Sequence, residues 1–464
     1  IGRPFFFGRK INWQTHFFAI KYLQVITQTL EQLEAGELQG AKQLKLSCQL
    51  TTFPEAIFSL STTLEILDLS GNQLSELPNN LPQLNKLKIL FLSDNLFTVF
   101  PEVLGKCTSI TMIGFKNNQL QTISENALHK EIRWLILTNN QLTVLPNSIG
   151  NCYNMQKLAL AGNQLSEIPT TLSACKNLGL LRISANQLTQ FPTWLFTMPK
   201  LSWLAFAGNP FCYKPIIETN LSEIHWNNLS LQHQLGQGAS GIISKAIWQK
   251  NNDESIEVAV KEFKGAITSD GLPEDEMNAC ILADNHKNLI PLLGKITNHA
   301  HKKEGLVLSL IPPNYTNLGL PPSFETCTRD VFTAGTVFTA QQIFCIAIAA
   351  ASVGAHLHNK GILHGDLYAH NTLINNDAHC LLGDFGAASL YNINDVETAT
   401  SLEKIEVLAW AYLVDDVLNL INTNDAALPQ ILALQQLKQT CMQDVVLSRP
   451  SFKNIVHQLQ LLSN

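Results

Sequence analysis

The chain has 464 residues, 45% of them apolar and 15% charged, with 31 Lys+Arg against 37 Asp+Glu for a net charge of −6. That length exceeds one ordinary core, so two or three domains are expected, and the mild acidity excludes the basic field that draws a nucleic acid or an anionic membrane. Ten cysteines form neither a Cys-x-x-Cys pair nor a zinc spacing, which predicts reduced thiols and a cytoplasmic setting.

Residues 1–29 read as an N-terminal extension. Phe5-Phe6-Phe7 with scattered Arg and Lys fits no signal-peptide plan. From 30 to 212 the chain repeats itself. The register Leu64-x-x-Leu67-x-Leu69-x-x-Asn72-x-Leu74 returns at Leu87/Leu90/Leu92/Asn95, Ile110/Ile113/Phe115/Asn118 and Ile132/Leu135/Leu137/Asn140. It continues at Met155/Leu158/Leu160/Asn163, Leu178/Leu181/Ile183/Asn186 and Leu201/Leu204/Phe206/Asn209. The asparagines are 23 residues apart, with one step of 22, and a degenerate copy precedes them at Leu44 and Leu46. Pro54, Pro78, Pro101, Pro146, Pro169 and Pro192 mark the turn after each strand. This is a leucine-rich repeat. No unit buries its apolar face alone, so neighbours stack into a curved solenoid with a parallel sheet on its concave side. Alternate strand residues point out of that sheet. Phe91, Trp134 and Trp203 among them predict a protein-docking stripe, for a partner or for the rest of this chain. Cys107, Cys152 and Cys175 share one repeat position and read as small buried hydrophobes.

Residues 213–228 form a short connector that is not Gly/Ser-rich, so the solenoid should rest near the next domain, 229–464. There, Leu235-Gly236-Gln237-Gly238-Ala239-Ser240-Gly241-Ile242-Ile243 lies between two strand-like runs. A dinucleotide fold needs a helix directly after such glycines; a second strand instead makes a hairpin whose backbone closes over phosphates. Val258-Ala259-Val260-Lys261 ends an apolar strand on a lysine suited to the α- and β-phosphates of ATP. The helix-like stretch 272–283 offers Glu274 and Glu276 to hold it, and Glu276 is the better spaced. Leu306 to Pro312 reads as strand and hinge, with the backbone of Ser309, Leu310 and Ile311 on the adenine edge and Ile243 and Ala259 lining the nucleotide. The apolar run 343–355 is too short to span a bilayer and reads as a buried helix.

The densest chemistry follows at His364-Gly365-Asp366-Leu367-Tyr368-Ala369-His370-Asn371, with Asp384-Phe385-Gly386 after it. Phosphoryl transfer needs positioning and charge neutralisation more than covalent help. Asp366 orients the attacking hydroxyl, Asn371 and Asp384 hold Mg²⁺, and Phe385 packs so that Asp384 faces inward. Arg449-Pro450-Ser451-Phe452 closes the last lobe. Over roughly residues 30–464 the chain resembles the bacterial leucine-rich-repeat protein kinases. Gly271-Leu-Pro-Glu274 and Thr326-Cys-Thr-Arg-Asp330 add to the likeness. The resemblance implies an α/β leucine-rich-repeat solenoid followed by an α+β two-lobed protein-kinase-like domain. It implies ATP and Mg²⁺ as cofactors, transfer to protein Ser/Thr hydroxyls, and repeats that recruit a protein partner or substrate.

The catalytic loop departs from that group's ordinary pattern. Gly365 replaces the arginine that receives an activation-loop phosphate, so switching by such a phosphate is not expected. Tyr368 stands where Ser/Thr kinases place a lysine that neutralises the γ-phosphate. His370 stands where tyrosine kinases place an arginine; it reads as a structural histidine or, when protonated, as a source of charge. The segment from Asp384 to the next helix, near Ser401, is short and lacks Ala-Pro-Glu. That removes the usual partner of Arg449 and leaves Glu403 or Glu406 to replace it. Glu406-Val407-Leu408-Ala409-Trp410 aligns with the helix that anchors the catalytic loop from below. Two other readings stand beside the protein kinase. Aminoglycoside- and choline-type phosphotransferases share His-Gly-Asp-x4-Asn, and a pseudokinase scaffold would act through its repeats. The glycine loop, Arg449-Pro450 and the repeats favour the protein kinase over the first. The joint presence of Lys261, Asp366, Asn371 and Asp384 favours it over the second.

Overall fold

A computed structural model of the chain describes residues 28–215, 221–238, 240–265, 267–268 and 270–463. The extension read at 1–29 therefore lies outside the described residues except for its last two. Gln28 bonds Gln43 and Lys45 along the sheet edge, and Thr29 caps a short helix α1 (Leu30–Glu34).

Eight three-residue strands follow, one per repeat. They are β1 (Gln43–Lys45), β2 (Ile66–Asp68), β3 (Ile89–Phe91), β4 (Met112–Gly114), β5 (Trp134–Ile136), β6 (Lys157–Ala159), β7 (Leu180–Arg182) and β8 (Trp203–Ala205). All pair in parallel with their sequence neighbours, in one sheet. The repeat leucines point into the solenoid, where Leu67, Leu90, Leu135, Leu158 and Leu181 are fully buried. Each ladder asparagine ties its own turn to the one before it. Asn140 accepts the Leu120 N–H at 2.9 Å and donates to the carbonyls of Phe115 at 2.9 Å and Leu137 at 3.0 Å. The residue before each asparagine takes a left-handed backbone, which Gly71, Asp94, Asn117, Asn139, Gly162 and Gly208 adopt readily and Ala185 adopts against its preference. Cys107, Cys152 and Cys175 are buried, and burial pushes their thiols up to about 11, about 12 and about 11, as small core hydrophobes.

The second domain opens on a six-stranded sheet. Its strands are β9 (Ser222–His225), β10 (Leu229–Gln237), β11 (Gly241–Gln249), β12 (Ser255–Phe263), β13 (Leu292–Thr297) and β14 (Gly305–Ser309), in the order β9-β13-β14-β12-β11-β10. Helix α2 (Pro273–Ala283) crosses from β12 to β13. The helical lobe holds α3 (Ala340–His358), α4 (Val396–Leu418), α5 (Pro429–Cys441) and α6 (Phe452–Leu462). The run expected to be too short to span a bilayer lies in a longer helix: among the described residues α3 alone is long and apolar enough to cross a membrane. It is nonetheless the packed centre of this lobe, as the buried-helix reading expects, clustering Ile343, Ala347 and Val353 with Trp410, Val414 and Phe452. α4 starts at Val396, before the expected Ser401, on an Asp395 cap, so the segment after Asp384 is shorter still.

The two halves share their interiors. Leu363, Tyr391, Leu402, Ile405 and Val446 of the helical lobe belong to the solenoid core, and Trp203 of β8 belongs to the helical core. This decides the docking stripe. Trp203 is 1% exposed and stacks on Tyr368, with ring centroids 4.4 Å apart and planes 6° off parallel. Phe91 and Trp134 pack on Phe324 at 6.0 and 6.5 Å. The stripe read as a partner site is thus covered by this chain's own second domain. A short connector keeps that domain at high effective concentration, so it covers the apolar sheet face first.

Candidate active site

The site forms where the sheet of the second domain meets its helical lobe. β12 carries Lys261 two residues before its end, and α2, started by Pro273, presents Glu276 toward it. The two form a buried ion pair, with Glu276 only 2% exposed. Glu274 stays at the surface. Burial pulls the Lys261 ammonium down, and the Glu276 and Asp384 carboxylates outweigh it, so the group ends above its ordinary range. Lys261 is therefore a held cation facing Asp384.

One cleft runs between the lobes. Leu235, Gly238, Gly241, Ile243, Ala259, Lys261, Glu276, Ser309, Leu310, Ile311, Asn371, Leu373, Asp384 and Phe385 line it. Gly241 needs its missing side chain, since a Cβ there would sit 2.6 Å from the Glu262 carbonyl. Gly236 is not on the lining; it pairs with Ile243 inside the hairpin. Leu235 and Leu373 are apolar walls that sequence reasoning missed. Leu373 lies two residues past Asn371, a position that could have been read from the loop.

The loop carrying Asp366 is held from three sides. Below it, Glu406 of α4 accepts the N–H of Gly365 at 2.7 Å and of His364 at 3.3 Å, and pairs with His358 at 2.9 Å. Burial pushes the Glu406 carboxyl up, and His358, His364 and the Gly365 N–H more than reverse it, leaving it below the usual range. Beside it, the His364 ring stands 3.1 Å from the Gly383 carbonyl, and Gly383 donates to the Asn371 carbonyl at 3.2 Å, so the loop is tied to the Asp384 turn. Asn371 donates to the Asp366 carbonyl at 3.0 Å and to its Oδ2 at 2.7 Å. Above it lies the solenoid. Arg182 of β7 donates to Asp366 Oδ1 at 2.6 Å, to Asp270 Oδ1 at 2.7 Å and to the Gly365 carbonyl at 3.1 Å. Asp366 is 8% exposed and does not line the cleft.

Other expectations resolve here. His370 lines the cleft, but its Nδ1 is 2.7 Å from Asp330, which also accepts its backbone N–H, so the ring is fixed by a carboxylate. Neither Glu403 nor Glu406 takes Arg449. Glu403 caps α6 at Phe452, and Glu406 holds the catalytic loop. Arg449 instead donates to the carbonyls of Gln443, Lys404 and, at 2.7 Å, Pro199 of the solenoid. Burial without a close carboxylate drops it to about 10. A guanidinium has five donors, and three carbonyls satisfy it where the shortened segment brings no glutamate.

The donor set suits a metal-bound triphosphate. Among the described residues no cluster of three or more His, Cys, Asp and Glu side chains could hold a metal alone. Asp384 and Asn371 give one carboxylate and one amide, which fits a Mg²⁺ held mostly by phosphate oxygens and water.

Comparison with known proteins agrees with this geometry. Residues 229–413 match the family model of protein tyrosine and serine/threonine kinases, and residues 63–84 and 131–152 match that of the leucine-rich repeat. Similar proteins include a tyrosine-protein kinase receptor TYRO3 of Danio rerio, 25% identical over 277 residues, which are 50% of this chain and 31% of that protein. Tyrosine-protein kinase ABL2 of Mus musculus is 28% identical over 213 residues, covering 43% and 16% of the two chains. The G-type lectin S-receptor-like serine/threonine-protein kinase SD1-13 of Arabidopsis thaliana is 27% identical over 191 residues, covering 40% and 21%. The matches span less than a third of the length of these relatives. Leucine-rich repeats are thus followed, over residues 229–413, by a domain similar to protein tyrosine and serine/threonine kinases.

Proposed function

We propose that the chain is a protein kinase that transfers the γ-phosphoryl group of ATP, with Mg²⁺, to serine or threonine hydroxyls of a protein recruited by its repeats. The observation that carries this reading is the buried Lys261–Glu276 pair, formed in one cleft with Asn371 and Asp384. An idle cleft has no need to bury a lysine and a glutamate together, because desolvating two charges costs several kcal/mol each unless they are well paired. ATP with Mg²⁺ supplies the phosphoryl group and a neutralised leaving group. Lys261 would hold its phosphates, and Gly238 and Gly241 leave the backbone room to close on them. Ile243, Ala259 and Leu373 would flank the base, with Ser309 to Ile311 at its edge. Asn371 and Asp384 would hold the metal, and Asp366 would orient the hydroxyl.

Serine/threonine transfer follows the resemblance to bacterial leucine-rich-repeat kinases; the relatives by name include both tyrosine and serine/threonine kinases. Recruitment would use the solenoid surface away from the covered stripe, where Val99 and Val144 repeat at one position and are 55% and 54% exposed. Ten free cysteines fit a reducing, cytoplasmic setting.

Labelled ATP and Mg²⁺ with generic protein substrates and small alcohols, followed by phosphoamino-acid analysis, tests the reading. Label on serine and threonine is expected, falling about 10²–10⁴-fold in Asp366→Ala and vanishing in Asp384→Ala. Label on tyrosine would overturn the residue class. Label on small alcohols alone would favour a small-molecule phosphotransferase, and none above the variants would leave a scaffold.

A further inference from the structure

Sequence 364–371 contains no lysine or arginine. A loop that brings a carboxylate up to a transferring phosphoryl group thus has no permanent cation of its own. The position two residues after Asp366 holds Tyr368, whose ring lies flat on Trp203 of the solenoid and is 5% exposed. His370 is tied to Asp330. The permanent cation on Asp366 comes from the other domain. Arg182 leaves β7 at an outward position, is 3% exposed, and sets one guanidinium nitrogen 2.6 Å from Asp366 Oδ1.

We propose that Arg182 is a positioning residue of the phosphotransfer site, fixing the Asp366 carboxylate and supplying the charge that the catalytic loop lacks. The inference rests on the kinase reading above and adds a residue from the repeats to it. Three further observations support it. First, the contact is built for. Gly365 has φ +73°, and a Cβ there would meet the Leu204 carbonyl of the solenoid at 2.5 Å and that of Ala387 at 2.7 Å. A side chain at 365 would push the two domains apart, so the approach of Arg182 to the loop requires glycine there. Trp203 Nε1 donates to the Leu367 carbonyl at 3.2 Å, and Ser389 Oγ accepts the N–H groups of Phe206 and Ala207 at 2.9 and 3.1 Å. These bonds hold the solenoid against both sides of the loop.

Second, the arginine braces two parts of the site. Its Nε donates to Asp270, three residues before α2, the helix that carries Glu276. Gly271 of the same loop faces Ser184, and Gly208 faces Asp275, each so closely that an added Cβ would stand 3.0 Å away. One planar fork therefore links the loop that sets Glu276 to the loop that sets Asp366. Third, the chemistry selects arginine. A guanidinium stays charged when buried and spans two carboxylates with fixed geometry, where a lysine is a single point charge. Burial pulls the Arg182 charge down, and Asp366 and Asp270 more than restore it.

The test measures phosphotransfer by the full chain for wild type, Arg182→Ala and Arg182→Lys, with kcat and the KM for ATP taken separately. Melting temperatures are recorded, and Arg182→Ala is assayed again with millimolar guanidinium. The expected result is a kcat lower by about 10²-fold in Arg182→Ala, the size of losing one preorganised donor. The KM for ATP stays unchanged, because the cleft does not include Arg182, and guanidinium restores part of the rate. Arg182→Lys should fall between the two. An unchanged or higher kcat in Arg182→Ala overturns the proposal, since Arg182 would then be a latch on Asp366. If Arg182→Ala does not fold, Arg182→Lys decides: a lower kcat at wild-type melting temperature supports the proposal, and a wild-type kcat overturns it. An inert wild type is a different result and removes the kinase reading together with this one.

Discussion

The solenoid and the catalytic domain solve stability in opposite ways. In the solenoid one device recurs: Asn72, Asn95, Asn118, Asn140, Asn163, Asn186 and Asn209 each bond two or three carbonyls and one or more N–H groups across neighbouring turns. In the catalytic domain each job has one holder, such as Glu276 for Lys261 or Glu406 for the catalytic loop. Loss of one ladder rung weakens a stack; loss of one holder removes a function. The seam obeys neither rule. There, residues at ordinary repeat positions, Arg182 and Trp203, take single-copy jobs in the other domain.

That contrast can be broken first at the seam. Gly365→Ala should cost the most, about 3 kcal/mol, from a left-handed backbone and overpacking against two carbonyls. The loss should appear in both domains at once, as one shifted unfolding transition followed by calorimetry and by tryptophan fluorescence. A shift confined to one domain would separate the cores that the seam joins through Trp203 and Leu363. A ladder change is expected to be milder. Asn140→Ala should cost about 2 kcal/mol through the buried backbone groups it leaves unpaired. The kcat of the folded protein should not move, because Asn140 touches nothing in the cleft.

The smallest effect concerns pH. Asp275 packs against Gly208 of the solenoid, and burial, with Glu274 adding, raises its carboxyl from 3.8 to about 6. The folded state therefore holds the proton more tightly than the unfolded chain. This contribution is fully present below about pH 4 and is lost as pH rises through about 6. Asp275→Asn should stabilise the protein by on the order of 1 kcal/mol at pH 7.5 and by nothing at pH 4. Melting curves at the two pH values check the sign.

Much of this was open to reading because it repeats or keeps fixed spacing. The asparagine period announced every strand of the solenoid from β2 to β8, and leucines 44 and 46 hinted at β1. Lys261, Asp384 and Asn371 sit in short phrases whose spacing follows from the shape of a triphosphate. Gly365 was visible as a departure, but its reason was not, since the Leu204 carbonyl that fills its space belongs to another domain. Arg182 was hidden more deeply. In the repeat it is an outward residue between Leu181 and Ile183, and its two carboxylate partners lie 88 and 184 residues away. Arg449 misled for a related reason: a missing glutamate suggested a substitute carboxylate, whereas the Pro199 carbonyl of the solenoid was near enough to serve.

The central claim is that Lys261, Asn371 and Asp384 gather around a metal-bound triphosphate. Calorimetric titration of ATP into the full chain, with Mg²⁺ and with chelator, tests it most directly, beside Asp384→Asn. The account predicts saturable binding that is much tighter with Mg²⁺, with the metal-dependent part lost in Asp384→Asn. Binding indifferent to Mg²⁺ in wild type, or equal in the variant, would contradict it.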